Sequence, residues 1–269
     1  MIGLEPAAED LALVTVALDG EHQVLVVHAD LGLLLDAQAR HVTRYHLKLP
    51  AEQAALFRRL LAFFALHCAT RPATEQLTWT LNFNAAAFRV FLAGDNGTGF
   101  VVGRLFPNHP PSDQANVFYS NAVAFPGALP RTSVVTFQTL DAFELVERYY
   151  AESEQRTARL FDLGGERYAM LVSHPDSDEA YLRTVGIEAV RRLVDGGNLA
   201  PVELRASSWT CTCSHQKILG LIASTAREDL DGAFGGESAL AVSCPRCSAV
   251  YTVTRAETAA FLAGGKSPG

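Results

Sequence analysis

The chain has little of what a membrane span, a secretory leader or a general nucleic-acid binder needs. No apolar run in its 269 residues reaches the roughly 18 that cross a bilayer. The opening Met1-Ile2-Gly3-Leu4-Glu5-Pro6 lacks a basic region followed by an apolar one, so no secretory signal is read and a cytoplasmic protein is expected. Basic residues are outnumbered, 22 Lys+Arg against 29 Asp+Glu, and a net charge of −7 argues against nucleic acid as a general partner, because phosphate binding needs a basic surface. A nucleophile elbow, a phosphate loop and a dinucleotide fingerprint are all missing, so an enzyme is not expected. Gly94-Asp95-Asn96-Gly97-Thr98-Gly99 comes nearest to a phosphate loop, but it lies between two strand-like runs with no helix following and reads as a hairpin. No internal repeat is present, and low complexity is confined to the tail from Gly264. Cysteine is also scarce: of five, only Cys68 precedes residue 211.

What the chain has is apolar residues, 49% of the total, enough for a sizeable core. Gln23–His28 suits a strand. Pro50 to Cys68 carries Leu56, Leu60, Phe63, Phe64 and His67 at three- and four-residue steps and predicts a helix. Leu77, Trp79, Leu81 and Phe83 alternate with polar residues, which marks a strand with one buried face. Phe88–Leu92 and Phe100–Phe106 form the hairpin. The stretch 107–130, with five prolines, reads as a long loop. Ser133–Phe137 reads as a strand, and a helix is expected from Asp141, capped with Glu144, toward Arg159. Tyr168–Val172 is a further strand, and Asp178–Asp195 one amphipathic helix.

The expected architecture is α+β: a mixed core domain with an antiparallel-rich sheet over residues 1–175, a short helical linker over 176–206, and a small zinc-binding module over 207–269. In that module Cys211-Thr212-Cys213 is followed, after 30 residues, by Cys244-Pro245-Arg246-Cys247. Two close thiol pairs suit a closed tetrahedral Zn²⁺ site, with Cys211, Cys213, Cys244 and Cys247 as the ligands. A shell filled by four cysteines leaves no open catalytic position. The one-residue spacing of the first pair requires a bent, non-strand backbone.

Around the thiols, Ile218, Leu219 and Ile222 form a helical face, Thr225 with Glu228 reads as a capping box for a second helix, Val250–Val253 as a strand, and Thr254 with Glu257 as another capping box. So small a module would draw much of its folding free energy from the metal, and removing zinc should unfold it. His215 reads as an exposed first-turn side chain. Cys68 reads as a small buried hydrophobe, since helix neighbours such as His67 point about 100° apart and cannot pair with it. Within residues 207–269 five basic residues balance five acidic ones, so a nucleic-acid module is disfavoured. Cys244-Pro245-Arg246-Cys247 precedes a strand rather than opening a helix, which argues against a thiol-disulfide oxidoreductase.

At these residues the sequence resembles the redox-regulated heat-shock protein 33 family of chaperones. The resemblance rests on Cys211-x-Cys213-Ser214, the helical spacer, Cys244-x-x-Cys247, Tyr251 and the tract Tyr149-Tyr150-Ala151-Glu152-Ser153-Glu154-Gln155. It implies an ATP-independent holdase of the stress response, zinc-bound and inactive when reduced, which binds unfolding clients after oxidation. It further implies redox disulfides Cys211–Cys213 and Cys244–Cys247 and a homodimer chiefly in the oxidised form; the linker departs from the family's in being shortened, since residues 156–210 alone separate Gln155 from Cys211. The alternative is a redox-insensitive structural zinc protein acting as a constitutive holdase or an interaction scaffold.

Overall fold

A computed structural model describes residues 11–264; the opening hexapeptide and the tail beyond 264 lie outside the described residues. Strands β1 (Leu11–Asp19) and β2 (Val24–Asp30) lead into helices α1 (Gly32–Arg44) and α2 (Ala51–Ala69). Five strands follow: β3 (Gln76–Phe83), β4 (Phe88–Asp95), β5 (Phe100–Phe106), β6 (Asn116–Val123) and β7 (Arg131–Phe137). Helix α3 (Ala142–Tyr149) runs into a π-turn at Tyr150–Glu154, then come β8 (Ala158–Gly164) and β9 (Arg167–Ser173). Helices α4 (Glu179–Thr184) and α5 (Ile187–Asp195) precede β10 (Ala200–Trp209). The C-terminal module holds α6 (His215–Thr225), α7 (Leu230–Phe234), β11 (Ala239–Ser243), β12 (Val250–Thr254) and α8 (Arg255–Ala263).

Ten strands form one sheet in the order β7-β6-β3-β4-β5-β10-β1-β2-β9-β8, and β11 with β12 forms a small second one. Every pairing in the large sheet is antiparallel except the short β10–β5 contact. Its inner face carries the main core, with α2 laid across it and Trp79, Phe63, Phe64, Phe83 and Phe118 fully buried. The predicted alternation of β3 is realised, with Leu77, Trp79, Leu81 and Phe83 inward. Position 103 of β5 accepts only glycine: a Cβ there would lie 2.5 Å from Leu92 and 3.0 Å from Phe57 of α2.

The outer face is covered in two places. Helices α4 and α5 bury Val24 and Val26 of β2, Phe161 and Leu163 of β8, and Ala169 and Leu171 of β9. That explains the unbroken apolar run of β2, whose two faces both meet helices. Farther along, the C-terminal module sits on Ala93 of β4 and Val102 of β5.

Several sequence expectations are corrected. The proline-rich stretch 107–130 holds β6, which pairs with β3 and buries Phe118. The helix from Asp141 keeps its cap, the Asp141 side chain accepting from the Phe143 and Glu144 amides. It ends well before Arg159, because Gln155 turns left-handed (φ 53°) after the π-turn and starts the chain toward β8. The single helix over 178–195 breaks at Val185-Gly186 into α4 and α5. Residues 176–206, expected as a helical linker, end in β10, which pairs with β1 through the middle of the large sheet. The cap of α7 is Asp229, which accepts from the Gly232 amide, rather than Thr225, which ends α6. The Thr254–Glu257 capping box is present as predicted.

Beneath the sheet the Tyr149-Tyr150 tract anchors a buried polar network. Tyr149 donates to Glu154 at 2.6 Å, Arg71 donates to the same carboxylate at 2.9 Å, and the fully buried His67 Nδ1 meets the Tyr150 hydroxyl at 2.8 Å. Burial pushes the His67 imidazole down to about 3, with Arg71 adding to the effect, so it is neutral near pH 7.

Candidate metal centre

Strand β10 delivers the first thiol pair. The Ser208 amide donates to Gly99 O at 2.9 Å and the Thr210 amide to Val101 O at 3.0 Å, so the chain leaves the edge of β5 directly into Cys211. From Thr210 to Ser214 it has no regular structure, the bent path that a one-residue thiol spacing requires. Ser214 then caps α6 by accepting from the Lys217 amide.

The second pair sits in a tight turn before β12. The Ser248 amide donates to Cys244 O at 3.0 Å, the Cys244 amide donates to Ala249 O at 2.8 Å, and the Arg246 amide points at Cys244 Sγ at 3.4 Å. Cys244 and Cys247 are buried, Cys211 and Cys213 partly exposed.

All four sulfurs lie within 4.8 Å of one another, and no other such cluster of His, Cys, Asp or Glu occurs among the described residues. Cys211 Sγ is 3.8 Å from Cys244 Sγ, and Cys213 Sγ is 3.5 Å from Cys247 Sγ. A tetrahedral ion with bonds of about 2.3 Å sets its sulfurs about 3.8 Å apart, so the donor set fits a thiolate-bound divalent metal. The sulfurs also compete for protons. Contact with Cys211 lowers Cys213 to about 7 and holds Cys244 far below the ordinary thiol range, while Cys211 and Cys247 are pushed up by their sulfur neighbours. Four thiols this close cannot all ionise unaided, and a cation at their centre removes the conflict.

The residues predicted as ligands are therefore brought together. Cys68 is not among them. It is buried at the foot of α2, where desolvation pushes its thiol up and keeps it protonated. His67 bonds Tyr150 rather than Cys68. His215 lies exposed at the start of α6, its Nε2 3.1 Å from Thr252 O.

Neighbours that sequence alone did not single out complete the surroundings. His41 of α1 donates from Nε2 to Cys247 O at 2.8 Å, and Arg104 of β5 donates from Nη1 to Cys244 O at 2.9 Å. Burial lowers the His41 imidazole against the opposing pull of the Cys247 carbonyl, and because a carbonyl only accepts, Nε2 carries the shared proton. Tyr251, which the family resemblance did mark, brings its hydroxyl to 3.1 Å from Cys213 Sγ. No local pattern announces His41 or Arg104, each more than a hundred residues from the carbonyl it reaches.

Comparison with known proteins agrees with this geometry. Residues 165–254, which include all four thiols, match the family model of Hsp33 protein. A search of the curated proteins found no match. Among solved structures, the 33 kDa chaperonin (heat shock protein 33 homologue) of Thermotoga maritima is similar with a TM-score of 0.70 at 15% identity, over 95% of this chain and 98% of that one.

Proposed function

We propose that the chain is an Hsp33-type chaperone, a redox-regulated, ATP-independent holdase for unfolding proteins under oxidative stress, on the strength of the family match over residues 165–254. The observation that carries the reading is the gathering of Cys211, Cys213, Cys244 and Cys247 into one cluster within the segment that matches the family. On this reading the large sheet, β10 included, with its inner helices forms the chaperone body, α4 and α5 the linking segment and the residues from Cys211 the switch, with Zn²⁺ held by the four sulfurs in the reduced, inactive protein. Bound zinc would keep the four thiols deprotonated and nucleophilic at neutral pH.

Oxidation then proceeds on the chain's own sulfurs. One thiolate attacks a peroxide oxygen, giving a sulfenic acid and hydroxide. A second thiolate displaces hydroxide from that sulfur, and the two-electron oxidation is complete with one S–S bond formed. Pairing within each motif, Cys211 with Cys213 and Cys244 with Cys247, would undo the cluster and with it the module's fold. Loosening of α4 and α5 would uncover the outer-face residues Val24, Val26, Phe161, Leu163 and Leu171, an apolar surface suited to unfolded clients. A homodimer is expected chiefly in this oxidised form.

The test is to treat the reduced, zinc-loaded protein with peroxide or hypochlorite and follow zinc release, free thiols and suppression of client aggregation together. Suppression that rises with zinc release supports the switch; equal suppression before and after oxidation defeats it, and none at any stage defeats the chaperone reading. Mapping the disulfides separates pairing within the motifs from Cys211–Cys244 and Cys213–Cys247, whose sulfurs lie 3.8 and 3.5 Å apart. A second reading, a structural zinc site on a constitutive holdase or scaffold, is favoured by one observation: Cys244 and Cys247 are only 2% and 1% exposed, which shields half the cluster from oxidants.

A further inference from the structure

The loop that carries the second thiol pair is held from outside by the large sheet and its first helix. Arg104 and His41 grip the main-chain carbonyls of Cys244 and Cys247, the two buried ligand positions. Both donors are fixed in place. The Arg104 guanidinium lies 4.3 Å over the Phe106 ring, and His41 is packed between Tyr45 at 4.8 Å and Trp209 at 5.6 Å. Tyr45 in turn faces Tyr251 at 6.3 Å. Ala249, two residues beyond Cys247, is buried in one cluster with Ala93 and Val102.

We propose that His41 and Arg104 form a latch that seats the second thiol loop on the outer face of β4–β5 and so couples the state of the four sulfurs to the body of the protein. The inference rests on the holdase reading only for its effect on activity. Its physical basis is that a backbone carbonyl reports the path of the loop rather than the identity of a side chain. The two carbonyls face His41 and Arg104 together only while the turn between Cys244 and Cys247 stays closed. Half-buried donors that lose their acceptors must be rehydrated, so the loop leaves both grips or neither. Because the first thiol pair is tied to β5 through the Ser208 and Thr210 amides, the sheet holds both halves of the cluster from one side.

The test uses the full-length, reduced, zinc-loaded protein carrying His41→Ala together with Arg104→Ala. Three quantities are read: zinc per chain, hydrogen exchange at residues 244–251, and acrylamide quenching of the Trp209 fluorescence. The expected result is unchanged zinc, exchange about tenfold faster (the equivalent of one net hydrogen bond) and readier quenching. His41→Gln with Arg104→Lys, which keeps a donor at each position, should restore slow exchange and guards against a variant that merely misfolds. Unchanged exchange and quenching in the alanine pair would overturn the latch. Loss of zinc from the alanine pair would overturn it too, since the contacts would then be maintaining the site rather than seating it. Faster exchange with zinc in place, but no suppression of client aggregation before or after oxidation, would uphold the latch and defeat the holdase reading.

Discussion

The large sheet and the C-terminal module solve the same folding problem with different means. Beneath the sheet, Trp79, Phe63, Phe64, Phe83, Phe118 and the two tyrosines of the Tyr149-Tyr150 tract are all but completely buried, and ring contacts link Trp79 to Phe64, Phe118 and Tyr149. The module's own apolar cluster has three fully packed members, Ile218, Phe234 and Val253. A second buried group, the thiols Cys244 and Cys247 with Ala249, is pressed against the sheet rather than into a core of the module's own. One region is held by apolar area; the other has four gathered thiols and a borrowed surface. On the proposed reading, stability in the second could be withdrawn by chemistry at four atoms, which apolar burial does not permit.

The sharpest way to break this comparison is to take the metal away. Chelation of the reduced protein should unfold residues 211–263 while the large sheet persists, a loss on the order of 10 kcal/mol confined to the module. Calorimetry with and without chelator should show a low-temperature transition separating from an unchanged main one. Loss of the whole protein in one transition would mean that the sheet needs the module.

Next in size is Trp79→Ala, which opens a large hole in the main core and should cost about 3–5 kcal/mol by denaturant titration. Zinc content should stay the same, because Trp79 faces away from the module.

The third effect is a pH dependence seated in the sheet's core. His67 has a folded-state value of about 3 against an ordinary 6.5, so between these the unfolded chain binds the extra proton. Its contribution is fully present above about pH 6.5 and is lost as pH falls toward 3, amounting to a few kcal/mol at most. His67→Phe should flatten this part of the urea-midpoint profile relative to the parent, with both proteins compared as zinc-free samples so that loss of metal in acid does not intrude.

The smallest expected effect is Cys68→Ala. It should cost about 1 kcal/mol and leave zinc binding and the oxidised disulfide map unaltered, because this thiol is enclosed near Gly94 and held in its protonated form. Any mixed disulfide at Cys68 after mild peroxide treatment would contradict its placement in the core.

How much of this was legible beforehand varied with the range of the interactions. The alternation of β3, the Thr254–Glu257 cap and the turn at Cys244–Cys247 follow from neighbouring residues, and each formed as read. Strands β6 and β10 did not announce themselves. Prolines flank the first, and the second exposes most of its length, so each is a strand because a partner, β3 or β1, supplies its hydrogen bonds. The break between α4 and α5 likewise answers to packing, Val185 and Val190 both turning onto β8 and β9.

The thiol spacing by itself determined that four sulfurs would meet, because short turns fix where their side chains point and two such turns leave one place for an ion. Tertiary structure alone decided where that place lies. The site rests against Arg104 and His41, whose carbonyl partners stand 140 and 206 positions away along the chain. A contact of that separation leaves no local trace in composition or periodicity. It exists only because the strand order brings β10, and the thiols that follow it, to the outer edge of β5.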